Sequence, residues 1–129
     1  MPPSRLIPLA VAALLVFAAP AAAHHGWSWT EDQESRLSGT IESIHLGNPH
    51  AHLTVRNDQG VWEVDLAPPG PTRRAGFVDG VAAIGDTVSV TGHRSRDSKE
   101  RVFKAETVTV RGKTYDVYPS RPKTLNPAS

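Results

Sequence analysis

A chain of 129 residues with 11 Pro and 10 Gly fits one domain of ordinary size and is too short for a two-domain enzyme. It contains no Cys, which excludes a disulfide framework, thiolate metal sites and a Cys nucleophile. With 14 basic against 13 acidic residues the formal charge is +1, so no general attraction to nucleic acid or anionic lipid is expected.

The N-terminal stretch reads as a signal peptide over residues 1–23. Arg5 supplies a positive charge, residues 6–19 form an uncharged apolar run, Pro20 breaks it, and Ala21-Ala22-Ala23 offers an Ala-x-Ala cleavage site. The run is about 14 residues, short of the ~20 that span a bilayer. Cleavage after Ala23 starts the mature chain at His24, removes Arg5 and brings the charges into balance. The expected address is a bacterial periplasm, with no membrane anchor left after cleavage. Residues 24–36 form an N-terminal arm, which Trp27 and Trp29 would staple to the domain.

From residue 37 the apolar period is mostly two. Residues 37–46 make a first strand, with a slip of phase because Ile41 and Ile44 stand three apart; a bulge near Ser43 would return both to one face. Gly47-Asn48-Pro49 is a turn. Ala51, Leu53 and Val55 mark a second strand, Asn57-Asp58-Gln59-Gly60 a hairpin loop, and Trp62, Val64 and Leu66 a third strand. After Pro68-Pro69-Gly70-Pro71, Thr72 caps a short helical turn running to Phe77. Gly85-Asp86 turns into a fourth strand carrying Val88 and Val90, and residues 92–100 read as a charged loop. Residues 102–110 form a fifth strand with a second slip between Ala105 and Val108, and residues 114–118 add an extension. From Pro119 to the end, three Pro and a single large apolar residue, Leu125, read as a disordered tail, residues 119–129.

Three strands, a short helix and two strands predict an all-β domain over residues 37–118. The expected form is a small five-stranded OB-like barrel with one short helix between strands three and four. Bulges at the two slips would help a short sheet to close. An open meander or small sandwich is the alternative.

The succession Ala23-His24-His25, Trp27, Gly39-Thr40-Ile41, Asn48-Pro49-His50, Arg73-Arg74-Ala75-Gly76-Phe77, Gly85-Asp86-Thr87-Val88 and Val90-Thr91-Gly92 resembles a family of small secreted bacterial proteins of unknown function. The likeness spans residues 23–115. Its most distinctive pieces are the His-His start and the Asn-Pro-His turn, and residues 68–71 depart from it in being richer in Pro. It implies export and an OB-like fold, and brings no catalytic residue with it.

Six His are the chemical signal: His24, His25, His45, His50, His52 and His93. Neutral imidazole is a ligand for zinc and copper(II). A processed His24 offers its α-amine and its imidazole together, similar to the copper histidine brace of other secreted proteins, and needs a second imidazole in space. Cleavage after Ala21 instead gives an Ala-Ala-His start, a pattern that chelates copper(II) and nickel(II). His50 and His52, two apart on a strand, share a face opposite Leu53 and Val55. The Asn48-Pro49 turn would fold His45 back toward them. His93 reads as a loop residue beside Arg94 and Arg96, outside the site unless its loop folds over. The mature chain has neither Met nor Cys, so any metal is held by nitrogen and carboxylate oxygen. Glu31, Asp32 and Glu34, near the N-terminus, could contribute carboxylate ligands, but read as a solvated acidic run.

Catalytic patterns are missing: there is no Gly-rich phosphate loop, no Gly-x-Ser-x-Gly and no His-Glu-x-x-His. Glu63 and Asp65 share a strand face but read as solvated, and Trp62 is in phase with the core. The expectation is a non-enzymatic periplasmic binding module that holds copper(II) or zinc through His24, His25, His50 and His52, with no nucleic acid as partner. The alternative is an interaction or scaffold protein of the cell envelope, contacting an envelope protein through the barrel face or the Pro-rich tail.

Overall fold

The structure, a computed structural model, describes residues 2–4 and 25–127. Apart from residues 2–4, the expected leader lies outside the described residues, as does His24. No helix among the described residues is long and apolar enough to cross a membrane.

Six strands and one helix follow in order: β1 (Ser35–His45), β2 (His52–Asn57), β3 (Gly60–Asp65), α1 (Pro69–Arg74), β4 (Thr87–Arg94), β5 (Val102–Val110) and β6 (Lys113–Asp116). The sheet order is β3-β2-β1-β4-β5-β6, and a parallel pairing of β3 with β5 closes it. Strands β1 to β5 thus form a closed five-stranded mixed barrel with the helix between β3 and β4, the OB-like arrangement expected from the strand order. β6 hangs on the outer edge of β5.

Closure needs β1 to bend, because its first half pairs with β4 and its second half with β2. Gly39 sits at that bend. A Cβ there would stand 2.3 Å from the Arg56 carbonyl oxygen, so only glycine permits the approach. The slip in β1 is a bulge: the register with β2 shifts between Ile41 and Ser43. Alternate residues then line one core, among them Leu37, Ile41, Leu53, Val55, Val64, Val90 and Phe103, each at most 3 % exposed. Trp62 joins them, and the Phe77 and Tyr115 rings meet edge to face at 5.4 Å over one end.

Helix α1 starts within the Pro-rich stretch rather than at Thr72. Pro is favourable in the first helical turn, where its missing N–H has no partner to lose. Thr72 lies inside the helix, buried, and its hydroxyl donates to the Ala67 carbonyl at 2.9 Å.

Two further expectations are corrected. Strand β4 runs on through Gly92 and His93 to Arg94, so the charged loop begins only at Ser95. The continuation is possible because Gly92 packs flat against β5: a Cβ there would meet the Lys104 carbonyl oxygen at 2.0 Å. The tail, expected to be disordered, hydrogen-bonds back to Glu34 and Arg36 through Thr124, Leu125 and Asn126. Glu34 accepts the Thr124 and Leu125 amides, and the Arg36 guanidinium donates to the Asn126 carbonyl at 2.6 Å. Its polar composition conceals this, because the tail is held by hydrogen bonds rather than by apolar burial.

Candidate functional site

Two groups of candidate ligands emerge. The first surrounds the turn between β1 and β2, where the Asn48–Pro49 peptide is cis. His45 and His52 are direct partners across the β1–β2 ladder, and their rings lie 4.7 Å apart at 31°. His25, on the N-terminal arm, brings its ring to 6.0 Å from that of His50. His52 Nδ1 is 3.4 Å from the His50 carbonyl and His45 Nε2 is 3.4 Å from the Asn48 carbonyl. All four rings are exposed or half-buried.

The arm is placed by contacts further along. Thr30 bridges to Ser95, the Glu31 amide donates to the Arg94 carbonyl at 2.8 Å, and the Arg96 amide donates to the Trp29 carbonyl at 2.9 Å. Arm residues therefore extend the β4 edge. The Trp27 ring is stacked under the Arg121 guanidinium at 3.6 Å and near the Lys104 ammonium at 4.4 Å. It also meets the Tyr118 ring at 4.9 Å and the His93 ring at 5.6 Å, both edge-on. Lys104 donates to the Gly26 carbonyl at 2.5 Å, one residue from His25.

The second group is buried beneath this arm and the tail. His93 is not a loop residue: it lies within β4, opposite Lys104 on β5, and is 6 % exposed. Its Nδ1 stands 2.9 Å from the Glu31 carbonyl and its Nε2 2.7 Å from Glu106 Oε1. Arg121 Nε approaches the same Glu106 oxygen at 3.4 Å. Glu106 is brought there by the second bulge. Thr91 pairs with Thr107 and Gly92 with Ala105, so Glu106 is the extra residue of β5. A bulge re-aims a side chain in this way, here onto the same outer face as Lys104.

Glu34 completes the group, and its reading as part of a solvated run is corrected. Glu31 and Asp32 are exposed, and Asp32 pairs with Arg96 at 2.6 Å, whereas Glu34 is buried. Its Oε2 accepts the Thr124 amide at 2.8 Å, the Thr124 hydroxyl at 2.9 Å and the Leu125 amide at 2.7 Å. Burial pushes the Glu34 carboxyl up, but these hydrogen bonds outweigh it and hold the group below its ordinary value. Burial pushes Lys104 down, against the pull of nearby Asp65, and pushes Tyr118 up.

Among the described residues, Glu34, His93 and Glu106 form one set whose ligand-type atoms all lie within 4.8 Å of one another, and the turn histidines form no such set. The structure thus brings His25 beside His50 and His45 beside His52 as two pairs, while His24 is outside the described residues. Sequence reasoning missed Glu106 and set Glu34 in a solvated run rather than in this group. The usable signal for Glu106 was the slip of phase between Ala105 and Val108, together with charged Lys104 and Glu106 in a strand otherwise of apolar residues and threonines. Glu34 left no such signal, since its donors are the Thr124 and Leu125 amides and the Thr124 hydroxyl, some 90 residues away.

A family model described as a family of unknown function (DUF6152) matches residues 12–105. A search of curated proteins returned no match. Among solved structures, the crystal structure of the ZRD-deleted mutant of TiaS in complex with agmatine is similar, with a TM-score of 0.51 and 19% sequence identity. That likeness covers 68% of this chain and 27% of that one, and it concerns the fold alone.

Proposed function

The chain belongs to the DUF6152 family of unknown function, and from the placement of its histidines we propose that it is an exported, non-catalytic binding module for copper(II) or zinc. The ligands are His24, His25, His50 and His52, with His45 beside them. One observation carries the reading: the arm, which begins where the leader ends, lays the His25 ring 6.0 Å from His50. The His25 end of the arm and the turn are then within reach of one ion. Ligand nitrogens need only close to the ~2.0–2.1 Å that imidazole takes to zinc. Export is supported by the apolar run and its Ala-x-Ala end, and it gives His24 the free α-amine that makes the start a chelate.

The test is a copper(II) titration of the secreted, processed protein, followed by visible absorption and electron paramagnetic resonance. One tightly held ion with nitrogen hyperfine structure is expected. A combined His24→Ala, His25→Ala, His50→Ala and His52→Ala variant should lose that spectrum. An unchanged spectrum in the variant removes the site, and no binding by the parent below about millimolar copper favours the envelope-scaffold reading instead.

A further inference from the structure

We propose that Glu34, His93 and Glu106 form a second, buried site for a divalent cation of the zinc class, beneath the arm and the tail and separate from the turn histidines. The inference does not depend on the surface site.

The first support is the protonation pattern. A carbonyl only accepts, so the contact with Glu31 fixes the proton of His93 on Nδ1. Nε2 is then left as the ligand nitrogen. A backbone carbonyl orienting a histidine from behind is the usual support of a metal-bound imidazole. Nε2 faces Glu106 Oε1 at 2.7 Å, an approach of two electron-rich atoms that requires a cation between the groups. A proton can serve, or a metal can.

The second support decides between them. Glu34 Oε1 and Glu106 Oε2 are both buried with no hydrogen-bond partner among the described residues. An unpaired buried carboxylate oxygen is costly. A proton on His93 Nε2 answers the Glu106 Oε1 contact and leaves both other oxygens unpaired. One divalent ion answers the imidazole and both carboxylates at once. Glu34 is also pre-set for it, because three donors hold Oε2 and leave Oε1 buried without a donor. The ligand-type atoms lie within 4.8 Å of one another; around a tetrahedral zinc the wider separations would close to the ~3.3 Å ligand spacing and the 2.7 Å contact of His93 Nε2 with Glu106 Oε1 would open to it.

One imidazole and two carboxylates, with no sulfur, suit zinc rather than copper(I). Two carboxylates and a dication are together neutral, and Arg121 is the group that must give way. Its contact with Glu106 is long, at 3.4 Å, and its side chain is 35% exposed. It also lines a 590 Å³ cleft between α1 and the tail, which gives its side chain room to withdraw.

The experiment uses the full processed chain carrying His24→Ala, His25→Ala, His50→Ala and His52→Ala, so that the surface site is silent. The protein is stripped with chelator, exposed to zinc sulfate, desalted and assayed for bound metal. About one zinc per chain is expected, with a rise in thermal midpoint. Adding Glu106→Gln should cut retained zinc at least tenfold, and Glu34→Gln should do so with the fold kept, as judged by tryptophan fluorescence. X-ray absorption at the zinc edge should show one imidazole in an otherwise oxygen shell. No retained zinc in the silent background, undiminished zinc in both Glu variants, or a shell of several imidazoles would each overturn the site. Because copper at the surface site is read in the parent and zinc here in the silent background, failure of one reading is distinguishable from failure of the other.

Discussion

At the residue scale, Glu34 and Trp27 show how single side chains tie remote segments together. Glu34 holds the tail through one oxygen, and its carboxyl is kept below the ordinary value in the folded state. The folded protein therefore binds that proton less readily than the unfolded chain. The resulting stability is present above about pH 4.5 and is lost as pH falls through the folded value. In metal-free buffer, Glu34→Gln should cost about 2 kcal/mol at neutral pH, the range for hydrogen bonds to a charged group. In urea melts, the gap between variant and parent should narrow below pH 4.5; a gap constant down to pH 3 would contradict this assignment. Trp27 has the matching role for the arm. Trp27→Ala removes two cation–π contacts of about 1 kcal/mol each. It should raise protease cutting of residues 25–34 and weaken copper(II) at the turn histidines, although Trp27 touches none of His45, His50 or His52.

At the element scale, the two bulges and two glycines decide the shape. The β1 bulge and Gly39 let one strand serve both β4 and β2. The β5 bulge, opposite Gly92, turns Glu106 toward His93. Gly92→Ala would press a Cβ into the Lys104 carbonyl and should cost about 3 kcal/mol, with loss of the β4–β5 register. A chemical-denaturation midpoint within error of the parent would show that β5 yields there. Both slips of phase are visible in the spacing of Ile41 and Ile44 and of Ala105 and Val108. The extent of β4 was not visible. Gly-His-Arg-Ser-Arg-Asp reads as loop by composition, and the burial that makes it strand comes from the arm laid across it. The same holds for β5, which is buried from Phe103 to Val110 on both faces although every second or third residue is polar.

At the scale of the whole molecule, the barrel is wrapped by its own ends. The arm and the tail cover the outer face of β4 and β5 and enclose His93, Glu106 and Lys104 between them. Removing residues 119–129 strips Glu34 of its three donors and Trp27 of Arg121. It should lower the thermal midpoint by about 10 °C, the shift that one to two kcal/mol produces in a domain of this size. It should also leave the barrel's far-ultraviolet spectrum intact, since no strand lies among the described residues of the deleted segment. A collapse of that spectrum would mean that the tail is part of the folding unit itself.

Local chemistry along the chain was sufficient for strand order, barrel closure and the places where the sheet must bulge, because alternation, turn residues and phase slips act between near neighbours. It also marked the histidines beside the Asn-Pro turn. Only the tertiary structure put Glu34, His93 and Glu106 together and folded the polar tail onto the domain. Several of those contacts, up to 91 positions apart, run to backbone groups, and a backbone group is the same at every residue, so nothing in the order of side chains announces them.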